Sequence, residues 1–148
     1  MSDPEAIDPA RTLAPVRADQ PQGYAARWTR RLLIFLRGMA VLSIAKGLYH
    51  WAVVCGFAGP ADGFELQPTP WQTATVFFAV IDLVAGVGLW LAAAWGAVVW
   101  LTASVSMAAV EVFFPQVYGG RMPVVAIEGV LLFVYLFLAI QSAREHPG

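Results

Sequence analysis

LLIFLRGMAVLSIAKGLYHWAVVCGF, residues 32–57, is the stretch on which the reading of this chain turns. A helix rises about 1.5 Å per residue, so roughly twenty apolar residues cross the hydrocarbon of a bilayer. This run supplies them. It also carries Arg37, Lys46 and His50. An ionisable side chain inside a membrane span is costly and is ordinarily aimed at a partner. The rest of the chain is therefore read for further spans and for those partners.

The 148 residues are 59% hydrophobic and 13% charged, well away from the balance of a soluble domain, and the length suits one domain. Three more runs are long and apolar enough to span, giving four in all at about 32–55, 71–93, 95–114 and 123–142. Gly56 to Pro70 holds three prolines, three glycines, Asp62 and Glu65, and reads as a loop. Ala92-Ala-Ala-Trp-Gly96 is short enough to make spans two and three an antiparallel hairpin, and Pro115 to Pro123 closes the last pair around Gly119 and Gly120. A re-entrant parse of 71–114 is the alternative, but two full helices account better for its length. Trp51, Trp71, Trp90, Trp95, Trp100 and Tyr118 fall near span ends, where an aromatic belt belongs.

Residues 1–30 read as a separate tail. Pro4, Pro9, Pro15 and Pro21 interrupt mixed charges with no apolar period, and such a segment buries too little surface to offset its ordering entropy. Its last part differs: Trp28, Arg30 and Arg31 are the expected interface anchors of a short basic helix over anionic headgroups. The layout of a cleaved leader is missing ahead of the first span, which favours a retained signal-anchor. Basic residues set the orientation. Arg11, Arg17, Arg27, Arg30, Arg31 and Arg144 lie in the two tails, against Arg121 alone in the two long loops. Both termini are expected in the cytoplasm, with loops 56–70 and 115–123 outside.

Depth places the charges. Lys46 lies about fifteen residues into span one, and His50 follows one turn later on the same face. Glu111 lies near the outer end of span three and Glu128 near the outer start of span four. Lys46, His50, Glu111 and Glu128 are thus expected to form one buried polar cluster in the outer half of the membrane. Asp82 sits mid-membrane in span two. Arg37, nine residues before Lys46, points to the other side of its helix and either snorkels to the headgroups or pairs with Asp82. Stripes of small and polar residues mark the inward faces: Ser43, Lys46, Gly47 and His50; Thr75, Ala79, Asp82 and Gly86; Ala97, Ser104, Ala108 and Glu111. Phe77, Phe78, Leu131, Phe133 and Phe137 are left to face lipid. The bland reading of the cluster is a charge-satisfied core that sets the helix register. The sharper one is a proton-handling site, because three membrane carboxylates share one inward lysine.

Several chemistries find no support. Cys55 is the single cysteine, so neither an internal disulfide nor a cysteine metal cluster can form. No Ser/His/Asp or Cys/His constellation, phosphate loop or dinucleotide fingerprint is present. A metal held by His50, Glu111 and Glu128 suits the ligand types but lacks a paired-ligand motif. No catalytic residue, cofactor or metal, and no nucleic-acid partner, is expected.

AVIDLVAGVGLWLAAAWGAVVWL (79–101) and GLYHWA (47–52) resemble a family of small bacterial four-helix inner-membrane proteins catalogued as a domain of unknown function. The likeness covers about residues 32–140. More loosely, the arginine and lysine of span one look like those of DoxX-like four-helix proteins, although their spacing departs from that family's. The resemblance implies an architecture and no reaction. The expectation is an all-α integral membrane bundle of four transmembrane helices behind a flexible Pro-rich tail, with residues 31–148 as the membrane domain. Its leading role is non-enzymatic, an accessory or scaffold subunit packed against other integral membrane subunits or itself among membrane lipids. The alternative is a proton-coupled transporter or lipophilic-ligand-binding protein working as a homo-oligomer.

Overall fold

A computed structural model describes residues 26–145. Four long helices, α1 (Ala26–Val54), α2 (Thr69–Trp90), α3 (Ala94–Phe113) and α5 (Met122–Glu145), are joined with one short helix, α4 (Pro115–Tyr118). All four long helices are long and apolar enough to cross a membrane, which makes this a multi-pass membrane protein. The proline-rich segment expected at the start lies outside the described residues up to position 25. Of residues 24–31, expected as a short interfacial helix, the described part from Ala26 is instead the first turns of α1.

The chain runs up and down. α2 packs on α1 and α3, and α5 closes the ring by packing on α1 and α3 from the opposite corner. One end of the bundle therefore carries the loop 55–68 together with α4, and is called the loop end below. The other carries the α2–α3 hairpin and both ends of the described chain, and is called the tail end.

Each helix stops for a local reason. At the end of α1, Phe57 N–H donates to the Ala52 carbonyl (2.8 Å) and Gly56 N–H to the Val53 carbonyl (3.1 Å). This crossed pair satisfies carbonyls a helix leaves open, and Gly56 provides the left-handed residue the motif needs (φ 78°). The α2–α3 hairpin repeats the pattern, with Ala93 N–H on the Gly88 carbonyl and Ala92 N–H on the Leu89 carbonyl, both at 3.0 Å. Here the left-handed residue is Ala92, at φ 51°. An L-residue pays about 1–2 kcal/mol for that conformation, and glycine's extra freedom in the unfolded chain returns about 0.4–1 kcal/mol of it. Ala92→Gly is therefore expected to raise stability by a net ~0.5–1 kcal/mol, read from the midpoint of a denaturing-detergent titration; no rise in the midpoint would mean the turn relaxes without strain.

The interior is divided by height. Towards the tail end it is apolar: Leu36, Met39 and Ala40 of α1, Ala85 and Leu89 of α2, and Trp100 of α3 form one buried cluster, with Leu131 and Tyr135 of α5 against it. Trp100, expected at the membrane interface, is 4% exposed. It meets Phe35 and Tyr135 edge-to-face at 6.4 and 5.5 Å. Being several residues inside α3, it has a full turn of helix between it and the tail end. Towards the loop end the buried polar side chains gather, Ser43, His50, Thr75, Asp82, Ser104 and Glu111, among the apolar Val53, Phe78, Ala79 and Met107. The tail end is fastened by Glu145, whose carboxylate accepts the Trp28 and Thr29 backbone N–H groups (3.2 and 3.3 Å). The last turn of α5 thus caps the first turn of α1, where orphan donors and the positive end of the helix dipole favour an acid. Trp28, expected only as an interface anchor, also packs edge-to-face on Phe137 at 5.8 Å, with Arg31 over its ring at 4.7 Å; Arg30 and Arg31 are exposed.

Candidate polar site

Side-chain direction in helices governs which charges meet. A helical Cα–Cβ bond leans towards its own helix's N-terminus. On α1 that is towards the tail end, so Lys46 reaches down from its backbone position. On α2 and α5 the N-terminus is at the loop end, so Asp82 and Glu128 lean up. Lys46 Nζ donates to Glu128 Oε1 at 2.9 Å and lies 3.8 Å from Asp82 Oδ1. A lysine on one helix is thereby shared by carboxylates on the two helices flanking it.

The three are not equally served. Glu128 holds a charge-assisted bond and its side chain is 13% exposed. Asp82 is 1% exposed, and neither of its carboxylate oxygens has a hydrogen-bond partner among the described residues. An ionised carboxylate in that position would forfeit its hydration for one off-contact cation. Buried charge of this kind is normally paired and hydrogen-bonded or else neutralised. Two carboxylates on one ammonium leave an excess negative charge, which a proton or a second cation would balance.

The expected cluster of Lys46, His50, Glu111 and Glu128 is corrected in three ways. Asp82 belongs to the lysine's group, and Glu111 does not. Glu111 is fully buried near the C-terminal end of α3. Its Oε2 accepts the Arg121 backbone N–H at 2.7 Å, and its Oε1 lies 3.4 Å from Arg121 Nε. The connection reaches it because Gly119 and Gly120 both adopt left-handed backbone (φ 85° and 63°), folding residue 121 back over the end of α3. His50 meets rings where carboxylates were expected: Phe78 at 5.9 Å and Tyr118 at 6.5 Å, with its neighbour Tyr49 at 5.9 Å. Phe78, expected to face lipid, is 1% exposed because it lies on the same side of α2 as Thr75 and Asp82. The pairing of Arg37 with Asp82 is likewise corrected. Arg37 is exposed and lies over the ring of Trp90, 5.8 Å away at the last residue of α2. Its side chain leans to the tail end, away from Asp82.

Above this layer, at the loop end, a cavity of about 250 Å³ opens among Tyr49, His50, Trp71, Thr75, Tyr118 and Arg121. The hydroxyls of Tyr118 and Thr75 share a hydrogen bond at 3.3 Å, and Thr75 also donates to the Trp71 carbonyl at 2.8 Å. Burial pushes the Tyr118 phenol above its ordinary value, so it stays a neutral donor throughout the physiological range. Among the described residues no three His, Cys, Asp or Glu side chains come together as a metal would need, and the His50, Glu111 and Glu128 set is dispersed.

Comparison with known proteins adds one fact. A family model matches residues 30–146, the whole bundle, and its description is a family of unknown function, DUF6163. The chain belongs to this family. Nothing among the curated proteins or the solved structures matches it. DUF6163 membership thus carries no reaction with it, and the chemistry has to be read from Lys46, Asp82, Glu128 and the cavity above them.

Proposed function

We propose that this is a small, non-enzymatic membrane protein that binds and releases a proton at Asp82, beside the Lys46 and Glu128 pair, coupling that proton to the movement or sensing of a solute. The bacterial inner membrane with both termini in the cytoplasm is part of the reading. It rests on the sequence resemblance and on the arginines gathered in the tails. The observation that carries the proposal is Asp82: wholly buried, without a hydrogen bond among the described residues, and 3.8 Å from a lysine committed elsewhere. A carboxyl in that position works as a neutral acid, and Lys46 can turn towards it when the proton leaves. Ionisable groups within spans mark proton relays in other membrane proteins. Four helices enclose little volume, so a solute pathway would be shared with a second copy.

Infrared spectra of the purified chain in lipid test this. A protonated-carboxyl band should be present in mildly acidic buffer, fade as pH rises, and be missing from Asp82→Asn. A chain with no such band at any pH, or a band that survives Asp82→Asn and Glu128→Gln, would sink the proposal.

One observation favours the accessory-subunit reading as a second. No residue of α5 is buried, and Ile127, Val130, Phe133, Phe137 and Ile140 stand open along it. That face suits a neighbouring integral subunit or a second copy. A monodisperse monomer with nothing co-purifying in mild detergent would count against it.

A further inference from the structure

We infer that the loop end holds a binding site for a single-chain amphiphile with a carboxylate headgroup. The head occupies the polar cavity above the lysine layer, and the hydrocarbon chain occupies an apolar groove beside it.

The groove, about 550 Å³, runs along the outside of α2 and α3 and is walled by Ala74, Phe77, Phe78, Val110, Phe114 and Val117. The polar cavity of about 250 Å³ lies next to it. Two residues join them. Val117 lines both spaces. Phe78 lines the groove and lies against the ring of His50, which lines the cavity. The cavity alone is smaller than the roughly 300–1,000 Å³ usual for small-molecule sites, whereas cavity and groove together fall within it. Their linings differ sharply. One offers His50, Thr75, Tyr118 and Arg121, and the other is almost wholly aliphatic and aromatic carbon. A ligand filling both must itself be polar at one end and apolar at the other.

The headgroup follows from the donors. Among the lining residues of the cavity Arg121 carries the charge, and Glu111, which pairs with it at 3.4 Å, is not one of them. Glu111 engages only its backbone N–H and Nε. A guanidinium has five N–H donors in a planar fork, so the terminal edge remains for a ligand, and that edge matches a carboxylate with two parallel bonds. The neutral Tyr118 hydroxyl and the Trp71 and Tyr49 rings enclose the same space. A single guanidinium suits one negative charge better than two, which favours a carboxylate over a phosphate monoester.

The site is independent of the proton-binding layer, and the experiment keeps them apart. Native mass spectrometry of the full chain, released from detergent after incubation with hexadecanoate, hexadecanol or hexadecyl phosphate, reads retention directly. Hexadecanoate should be retained one per chain and in preference to the other two. Arg121→Gln should weaken hexadecanoate about tenfold or more, the loss expected for a charge-assisted pair, and leave hexadecanol unchanged. Ala74→Trp, which fills the groove from its exposed side, should weaken all three, with circular dichroism confirming the helices. Asp82→Asn should bind hexadecanoate like the wild type. Equal retention of acid and alcohol, a preference for the phosphate, or indifference to Arg121→Gln would each overturn the assignment and leave the groove as ordinary lipid contact.

Discussion

Replacing Lys46 by methionine should cost the bundle about 3 kcal/mol, while replacing Asp82 by asparagine should cost nothing or stabilise it by about 1 kcal/mol. The asymmetry follows from who depends on whom. Methionine keeps the length and apolar stem of lysine but removes the cation from between two carboxylates, 2.9 Å from one and 3.8 Å from the other. Breaking a buried pair by removing one partner commonly costs about 3–5 kcal/mol, since an uncompensated charge is left behind. The lower end applies, because the lysine side chain is 30% exposed. Among the described residues Asp82 has no hydrogen bond to lose. Asparagine is neutral without having to hold a proton, and Lys46 keeps Glu128. Glu128→Gln falls between, at about 1 kcal/mol, because the charge-assisted bond is lost but the lysine can turn to Asp82. Lys46→Met combined with Asp82→Asn should be less damaging than Lys46→Met alone, a coupling that only residues in direct contact show. Denaturing-detergent titrations of the four variants in one lipid–detergent mixture measure the set. A Lys46→Met chain as stable as the wild type would mean that the carboxylates are neutral without it.

That ordering also separates structure from function. A merely register-setting cluster would be damaged by any change that reduces its charge pairs. Under the proton-binding proposal, Asp82→Asn leaves a sound bundle that has lost its titrating carboxyl.

Much of this was legible in the sequence, and what was not has identifiable causes. Four spans, the hairpin and the inward stripes follow from apolar run length and small-residue periodicity. Thr75, Ala79, Asp82 and Gly86 are all buried, as their spacing predicts. Pairing between helices was harder. Counting residues gives the height of a Cα, yet lysine, aspartate and glutamate meet at their tips. Opposite leans of about half a turn each bring Lys46 to Asp82 and carry Arg37 off to Trp90. Glu111 was misassigned for another reason. Its partner comes from a connection whose path depends on two consecutive left-handed glycines, and the sequence marks those residues as a turn without giving its direction. Phe78 and Trp100 looked like lipid and interface residues by type, but their burial is set by which neighbour each helix has, and that is a property of the assembled ring.

The hairpin supplies the most severe packing constraint in the chain, and Gly96→Ala should disrupt the fold more than any other glycine substitution. Gly88 of α2 and Gly96 of α3 are in backbone contact. A Cβ added at Gly96 would run into the Gly88 carbonyl carbon and lie 2.6 Å from its Cα and its oxygen. One added at Gly88 would strike the Gly96 Cα and sit 2.6 Å from the Trp95 ring. Both obstacles include backbone, which cannot swing aside as a side-chain tip can. The turn is only a few residues away and holds Gly88 through its carbonyl, so the helices cannot simply slide. Relief requires them to separate, and separation opens the Leu89 and Trp100 layer immediately behind. Overpacking of a close-packed interior costs about 1–3 kcal/mol when side chains alone adjust. With backbone against backbone the expected loss is at the top of that range or above it, about 3 kcal/mol or more. Gly47→Ala gives the internal comparison. Its added Cβ would come within 2.8 Å of Leu83 Cγ and 3.1 Å of the Leu83 nitrogen, and the leucine can re-rotamerise, so a loss of about 1 kcal/mol is expected. Gly38→Ala meets nothing within 4 Å and should be neutral or slightly stabilising through helix propensity. Yield of folded protein and detergent-titration midpoints for the three alanine variants give the ranking directly; a Gly96→Ala chain that folds as well as Gly38→Ala would show that α2 and α3 do not approach as closely as the turn geometry requires.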